Sequence, residues 1–120
     1  MSNFDVLLFD GYFFDLIVTG LPEVPRLGTD LFGKEIGCSA GGTFNTVRAL
    51  HRLGLRVGWV CNFGNDLFSQ FVLNEAHQEG VDPQLFRMHD HPVRAFSLAF
   101  SFQADRGFIS YIDPAEAYDR

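Results

Sequence analysis

A pair of adjacent glycines, Gly41 and Gly42, stands directly before a stretch with helical periodicity. Apolar residues recur every three or four positions from Thr43 to Leu53, and Gly54 then supplies a residue suited to ending a helix. Glycines ahead of a helix let a ligand approach bare backbone, and the free N–H groups of the first helical turn point toward it. Asn45 adds both a donor and an acceptor on that turn. This segment therefore predicts a binding site for a small molecule.

Strand and helix signals alternate around this segment. A short apolar run at 5–9, ended by Asp10, is typical of a central strand buried on both faces of a sheet. A β-branched run at 55–61 follows the helix, so we expect a right-handed strand-helix-strand unit with parallel strands. Asp66 is expected to cap a second helix, which ends at Gly80. The predicted fold class is α/β, and 120 residues allow one domain, 1–120.

Three further stretches predict strands outside that unit, near 13–19, 31–38 and 95–112. In the last of them, apolar residues alternate with small ones from Phe96 to Phe102, and a turn near Gly107 leads into a second strand. This pattern predicts a β-hairpin with one apolar face. A face with so many rings is expected to cover either a pocket of its own domain or the same hairpin of a second subunit.

Charge and composition exclude several classes of function. Nine basic residues against fifteen acidic ones give a net charge of -6, and the arginines are scattered, so nucleic acid is not an expected partner. No positively charged leader is visible and Asp15 interrupts the longest apolar run, so we expect neither a signal peptide nor a membrane span, and a cytoplasmic location. Cys38 and Cys61 are expected to be small buried residues. His89 and His91 are expected in a solvated loop without a metal.

The residues alone leave the roles of four positions open. Asp15 is either a solvated charge at a strand end or a ligand-binding acid. Gly41 and Gly42 either mark a tight turn or belong to a dinucleotide site, although the G-x-G-x-x-G order is missing. Asn45 is either an ordinary first-turn residue or a ligand contact. The chain accordingly fits a small-molecule enzyme, a ligand-binding module or a dinucleotide-binding domain.

The order of these features resembles the amino-terminal part of the ribokinase-like (PfkB-type) carbohydrate kinases. The resemblance rests on Asp15 after a buried strand, the Leu21-Pro22 turn, the pair Gly41-Gly42, Asn45, the Leu53-Gly54 helix end and the Gly64-Asn65-Asp66 turn. The stretch Glu79-Gly80-Val81-Asp82 and the apolar hairpin are similar to further recurring features of the family. The likeness covers nearly the whole chain.

This resemblance implies a ribokinase-like parallel sheet with flanking helices and a small β-sheet lid over the substrate. It implies an ATP-dependent kinase that transfers the γ-phosphate to a hydroxyl of a sugar or nucleoside, with ATP and Mg²⁺ as cofactors. A homodimer joined through the lid is a further expectation. The substrate-binding residues implied by the resemblance are Asp15, Gly41, Gly42 and Asn45, with Gly11 and Phe13 shaping the pocket.

Two departures from the family pattern bear on substrate and activity. Gly11 and Phe13 stand where many sugar kinases have polar residues, and an aromatic floor favours a ligand with a flat or apolar part, such as a nucleoside. No Gly-Ala-Gly-Asp motif occurs before Arg120, and in the family this motif and most ATP and magnesium contacts belong to a carboxyl-terminal half. We therefore expect no catalytic residue here, and a fragment that is inactive alone. The alternative is a non-catalytic ligand-binding or interaction module.

Overall fold

The computed structural model describes residues 3–114, which contain two helices and eight strands. In chain order the elements are β1 (Val6–Leu8), β2 (Tyr12–Thr19), β3 (Glu35–Gly42), α1 (Thr43–Arg52), β4 (Val57–Trp59), β5 (Cys61–Phe63), α2 (Leu67–Glu79), β6 (Phe86–Met88), β7 (Ala95–Phe102) and β8 (Asp105–Ile112). Two parallel pairs, β1 with β4 and β5 with β6, accompany a four-stranded sheet of order β3-β2-β7-β8. The predicted α/β class is confirmed.

Both ends of α1 follow from local sequence signals. Phe44 and Val47 are its buried residues, as the helical spacing predicts. The Leu53 N–H donates to the Ala49 carbonyl at 3.2 Å. Gly54 follows with a φ of +90°, which a residue without a Cβ adopts with little strain.

α2 is delimited in the same way. The Asp66 carboxylate accepts the Ser69 N–H at 3.0 Å, and this bond satisfies one of the free donors of the first turn. Val72 and Ala76 face the core, and Gly80 ends the helix with a φ of +81°. Within residues 3–114, neither helix has the length and apolar character needed to cross a bilayer.

The prediction of a central strand at 5–9, buried on both faces, is wrong. β1 contains three residues, and in the described part of the chain β4 is its strand neighbour on one side with none on the other. Leu7 is 50% exposed and Phe9 is 72% exposed. A short apolar run reports that a segment is attracted to a core, but it does not report how many strands lie beside it.

β3 starts four residues later than the predicted strand at 31–38, and it includes the glycine pair. The Lys34 N–H donates to the Thr19 carbonyl at 2.8 Å, and pairing with β2 continues from there until Gly42 lies opposite Tyr12. The glycines therefore end a strand instead of forming a separate turn. Their backbone pairing with β2 is a long-range contact that the local sequence does not reveal.

The two cysteines have different environments. Cys61 is 2% exposed, as predicted, and burial raises the pKa of its thiol to about 12. Cys38 is exposed, so the prediction of a buried residue is wrong at that position. Cys38 lies on β3, which is an edge strand of the four-stranded sheet with β2 on one side, so little of the protein covers it.

Aromatic rings fill the core of the domain. Trp59, Phe44 and Phe63 are fully buried. Trp59 stacks on Phe44 and meets Phe63 edge to face, with ring centroids 5.7 Å apart in both pairs. The indole N–H of Trp59 donates to the Asp10 carbonyl at 2.8 Å. This contact fixes the segment that joins β1 to β2.

Candidate functional site

The four-stranded sheet has two chemically different faces. Successive side chains of a strand point to opposite faces, and paired residues of neighbouring strands share a face. We call the face that carries Asp15 the polar face and the face that carries Phe14 the apolar face. The polar face includes a row of Ser39, Asp15, Ser97 and Ser110 across all four strands. The apolar face includes Phe14, Leu16, Val18, Phe96, Leu98 and Phe100. The predicted hairpin with one apolar face is confirmed.

Asp15 lies on β2, in the middle of the polar face. Its carboxylate has no hydrogen-bond or ion-pair partner within residues 3–114. Burial raises the pKa of Asp15 above its usual value, and no neighbouring donor or cation opposes that shift. In its ionised form such a group is an acceptor available to the donors of a ligand.

Gly41 makes room for this carboxylate. Gly41 lies on β3 opposite Phe13, so it is a diagonal neighbour of Asp15 on the same face. A Cβ on Gly41 would lie 3.0 Å from the Cγ of Asp15 and closer still to its Oδ2. The carboxylate therefore rests against the backbone of Gly41. The acid and the first glycine converge, as the binding hypothesis requires, through adjacent strands of one sheet.

Gly42, by contrast, is required by close packing of the backbone. Its φ is +65°, and a Cβ there would lie 3.0 Å from both the Gly11 carbonyl oxygen and the Phe13 nitrogen. The Thr43 N–H donates to the same Gly11 carbonyl at 3.1 Å. Gly42 thus lets the beginning of α1 pack against the beginning of β2. This backbone packing is sufficient to explain why residue 42 is a glycine, whether or not a ligand binds there.

Asn45 is an exposed residue on the first turn of α1. Its side-chain oxygen accepts a hydrogen bond from Arg48 at 3.0 Å, and the Arg48 guanidinium lies 4.9 Å from the centre of the Phe44 ring. Asn45 lines neither of the two cavities on the polar face. The structure places it beside the glycine pair but does not bring it to the carboxylate.

Two cavities open along the polar face. The larger, of about 560 Å³, is lined by Asp15 and Ser97 together with residues of the β7–β8 hairpin. The smaller, of about 350 Å³, lies where β1 ends, and Gly11, Phe13 and Asn62 line it. Phe13 and Asp15 are two residues apart on β2, so both point to this face. Of the predicted residues, Asp15 lines the larger cavity, and Gly11 and Phe13 line the smaller one. Gly41 lies against the Asp15 carboxylate, and Gly42 follows it at the end of β3.

A buried hydrogen-bond network at the start of β2 was not predicted from the sequence. The Tyr12 hydroxyl donates to the Val93 carbonyl and lies 3.0 Å from the Ser69 hydroxyl. The Asp66 carboxylate accepts from the Ser69 hydroxyl at 3.0 Å and from the Val93 N–H at 2.8 Å. Burial raises the pKa of Tyr12 well above its usual range. The network ties the start of β2 to α2 and to the segment that enters β7.

An ion pair at the base of the β7–β8 hairpin was also missed. The Arg94 backbone N–H and Nε donate to the Asp113 carboxylate at 2.7 and 3.0 Å, and the Tyr111 hydroxyl donates to it at 2.7 Å. Asp113 is 6% exposed, and the bonds from Arg94 and Tyr111 hold the pKa of Asp113 at about 2. No local motif marks a pair whose members lie 19 residues apart. The pairing of β7 with β8 brings the two residues together.

No group of three His, Cys, Asp or Glu side chains among the described residues is arranged to hold a metal ion. His89 and His91 lie in a loop with ring centroids 5.1 Å apart, and His89 Nε2 is 2.9 Å from the Asn62 side-chain oxygen. Both histidines are half-buried, so the expected loop is found but it is less solvated than predicted.

Comparison with known sequences gives two matches. The family model described as pfkB family carbohydrate kinase matches residues 18–119. The 2-dehydro-3-deoxygluconokinase of Bacillus subtilis (strain 168) is 40% identical over 63 residues, which are 52% of this chain and 17% of the relative. The chain therefore spans less than a fifth of that relative's length.

Solved structures give similar folds. A nucleoside kinase of Methanocaldococcus jannaschii, described as an archaeal member of the ribokinase family, matches with a TM-score of 0.79 at 13% identity, over 95% of this chain and 38% of its own. Arabidopsis thaliana ribokinase, solved with ribose and ATP, matches with a TM-score of 0.77 at 17% identity, over 92% of this chain and 36% of its own. The expected ribokinase-like fold is confirmed.

Proposed function

The chain belongs to the pfkB family of carbohydrate kinases, and from that premise we propose that it forms the substrate-binding part of an ATP-dependent sugar or nucleoside kinase. The proposed reaction transfers the γ-phosphate of ATP to a hydroxyl group of the substrate. The observation that carries the proposal is the carboxylate of Asp15, which has no hydrogen-bond or ion-pair partner among residues 3–114, rests against Gly41 and lines a cavity of about 560 Å³.

Asp15 and Gly41 supply complementary properties to such a substrate. An ionised carboxylate only accepts hydrogen bonds, and the hydroxyl groups of a sugar or of a ribose ring can donate to both of its oxygens. Gly41 has no side chain, so a ligand can approach the strand backbone beside the acid. Together they would hold one edge of a polyhydroxylated ring in a fixed orientation, which phosphoryl transfer requires of the attacking hydroxyl.

The other predicted residues would complete the pocket. Phe13 and Gly11 line the adjacent cavity, where a ring and bare backbone suit a flat or apolar part of the ligand. Asn45 would contribute its amide nitrogen as a donor, because its oxygen is already bonded to Arg48. Gly42 would act indirectly, by placing α1 against β2. This combination accommodates either a sugar or a nucleoside.

The phosphate-donor site is proposed to lie outside this chain, which spans 17% of the curated relative and 36–38% of the two solved structures named above. Bound ATP supplies the phosphoryl group, and Mg²⁺ offsets its negative charge. These 120 residues would then bind substrate but remain inactive alone. We expect the protein to act in the cytoplasm, where ATP is available.

We also propose that two copies associate through the apolar face. Ile109 is 60% exposed on that face, and with Leu98 and Phe100 it lines a shallow apolar cavity of about 270 Å³. A second copy of the sheet would remove this surface from water. Light scattering after size-exclusion chromatography should give twice the protomer mass, and Leu98→Glu should restore the monomer. A monomeric wild-type protein at micromolar concentration would count against this association.

A phosphorylation assay tests the kinase proposal. The full-length protein that contains this chain is supplied with ATP, Mg²⁺ and, in turn, D-ribose, D-fructose, adenosine and 2-dehydro-3-deoxy-D-gluconate. Asp15→Ala should lower kcat/KM by about 100-fold, because charge-assisted hydrogen bonds to the substrate are lost. Asp30→Asn is the matched control, since Asp30 is exposed in the loop before β3.

Three outcomes separate the possibilities. Phosphorylation of one compound with the expected loss in Asp15→Ala supports the kinase. Thermal stabilisation by one of the compounds without any phosphorylation by the full-length protein favours a non-catalytic binding module. Equal activity of Asp15→Ala and Asp30→Asn would remove Asp15 from the site.

A further inference from the structure

Ser97 and Ser110 extend the polar face beyond Asp15. Asp15 on β2 lies beside Ser97 on β7, and Ser97 lies opposite Ser110 on β8. Neighbouring strands are about 4.8 Å apart, so the two serines reach roughly 10 Å from the carboxylate toward the outer edge of the sheet. The family resemblance and the motifs in the sequence point to neither serine.

The Ser97 and Ser110 hydroxyl groups are hydrogen-bonded to each other, and Ser110 is the donor. The Ser110 Oγ donates to the Ser97 Oγ at 3.2 Å. A hydroxyl has one hydrogen to donate and two lone pairs to accept with. Ser97 uses a lone pair in this bond, and no other side-chain bond to Ser97 is found in the described part of the chain. Its own hydrogen is therefore available to a ligand.

Asp15 and Ser97 line the same cavity of about 560 Å³. One of them accepts hydrogen bonds and the other has a hydrogen to donate, and they lie on adjacent strands at the same level of the sheet. Two neighbouring oxygens of a sugar-like ligand, one donating and one accepting, match that arrangement.

The charges around this cavity indicate what the ligand carries. Its charged lining residues are Asp15, Asp105 and Arg106, which sum to one negative charge. Arg106 lies four residues from Ser110 on β8, near the hairpin turn and away from the serine row. A carboxylate or phosphate placed over Ser97 would be repelled by Asp15, whereas Arg106, the cation that lines this cavity among the described residues, lies roughly 13 Å further along β8. A neutral hydroxyl or carbonyl oxygen meets no such repulsion.

We propose that Ser97, oriented by Ser110, is a specificity-determining residue of this site, which donates a hydrogen bond to an uncharged oxygen of the substrate. The proposal rests on the proposed kinase function and narrows its substrate. The part of the substrate over β7 and β8 is a neutral hydroxyl-bearing or carbonyl-bearing group, so a neutral sugar or nucleoside is preferred to a sugar acid.

The experiment measures kcat/KM of the full-length protein for the neutral D-ribose, D-fructose and adenosine and for the anionic 2-dehydro-3-deoxy-D-gluconate. Ser97→Ala is expected to lower kcat/KM for the preferred substrate about tenfold, since one hydrogen bond in a partly desolvated site is lost. Ser97→Thr keeps a hydroxyl and should stay within about threefold of wild type. Ser110→Ala should have an intermediate effect, since it only frees the Ser97 hydroxyl to rotate.

Ser39→Ala is the matched control. Ser39 lies on the same row but on the other side of Asp15, and it lines neither cavity. We expect Ser39→Ala to retain wild-type kinetics, and Ser97→Ala to retain the wild-type melting temperature within a degree or so.

The possible results can be told apart. Loss in Ser97→Ala with rescue in Ser97→Thr, on a neutral substrate, supports the proposal. Equal kinetics in Ser97→Ala and Ser39→Ala, or a preference of the wild-type protein for the anionic compound, overturns it while leaving the kinase function in place. Failure to phosphorylate any of the four compounds removes the proposed function and, with it, the role of Ser97.

Discussion

The two faces of the four-stranded sheet are built by the same strands, yet their side chains are satisfied to different degrees. On the apolar face, Phe14 contacts Phe68, Phe71 and Phe96, with ring centroids 5.0 to 6.1 Å apart. On the polar face, the next residue, Asp15, has no partner within residues 3–114. A step of one residue along β2 therefore separates a packed aromatic ring from the acid that is proposed to bind the substrate.

The two faces also make opposite contributions to the free energy of folding. Burial of a phenylalanine ring stabilises a fold by roughly 1.5 to 3 kcal/mol. The raised pKa of Asp15 means that its ionised form is less favourable in the folded protein than in the unfolded chain. The apolar face thus stabilises the sheet, and the polar face carries a group that opposes folding at neutral pH. Such a group is expected where a ligand completes the contacts.

Truncation of a ring on the apolar face should have the largest effect on stability. Phe14→Ala should lower the free energy of unfolding by about 3 kcal/mol, because it leaves a cavity among three other rings. Urea denaturation of the full-length protein measures this change. Phe108→Ala is the control, since Phe108 lies on the polar face and is 64% exposed. A loss in Phe108→Ala as large as that in Phe14→Ala would contradict the assignment of the two faces.

The second test adds a single methyl group on the polar face. Gly41→Ala places a Cβ where the Asp15 carboxylate lies, so the acid must move. Displacement of a substrate-positioning group by about 1 Å can lower activity roughly 100-fold. We expect a loss of that size in kcat/KM for the preferred substrate, accompanied by a smaller change in melting temperature.

Gly37→Ala is a close control for this substitution. Gly37 lies on the same strand and the same face as Gly41, and a Cβ there would meet nothing within 4 Å. Its activity should match that of the wild type. If Gly37→Ala and Gly41→Ala lose activity equally, the loss comes from the strand and not from the acid.

The third and smallest effect concerns the pH dependence of stability. Because burial raises the pKa of Asp15 above its ordinary value, the folded state binds more protons than the unfolded chain, and stability falls as the pH rises from the ordinary pKa through the raised one. Asp15→Asn should remove this fall and stabilise the protein at pH 7 by no more than a few tenths of a kcal/mol, because solvent screens the partly exposed carboxylate. Thermal unfolding between pH 3 and pH 7 measures the difference.

Asp113 provides a contrast of opposite sign. Its folded pKa of about 2 lies below its ordinary value of 3.8, so its contribution to stability is present above pH 3.8 and is lost as the pH falls toward 2. Asp113→Asn should therefore destabilise the protein at pH 7, by about 1 kcal/mol once the partial exposure of Arg94 is considered. Changes of the same sign in Asp15→Asn and Asp113→Asn would refute the distinction between the two carboxylates.

The features that sequence analysis predicted correctly carry their information locally. Asp66 and Gly80 mark the ends of α2 because a cap and a left-handed glycine need only a few neighbouring residues. The alternation from Phe96 to Phe102 identifies a strand and its two faces in the same way. The family resemblance assigned Asp15 and Gly41 to one site, and the structure places them side by side, while their role in substrate binding stays a prediction.

The features that were missed depend on distant parts of the chain. The bond between Tyr12 and Ser69 joins residues 57 positions apart, and each looks ordinary in its own segment. The late start of β3 and the exposure of Cys38 depend on which strand lies next to it. Asn45 lies on the first turn of α1, directly after the glycine pair, but it lines neither cavity of the polar face.

The parallel pairing of β2 with β7 has a consequence for how this sheet can arise. The segments between the two strands form α1, α2 and the parallel strand pairs, so the chain crosses the rest of the domain before the sheet is complete. The β2–β3 pair and the β7–β8 pair are joined in the chain only through that intervening part, which must bring them into register. We therefore expect the four strands not to fold when they are separated from it, and the sheet to form late in folding because its central pairing joins residues far apart in sequence.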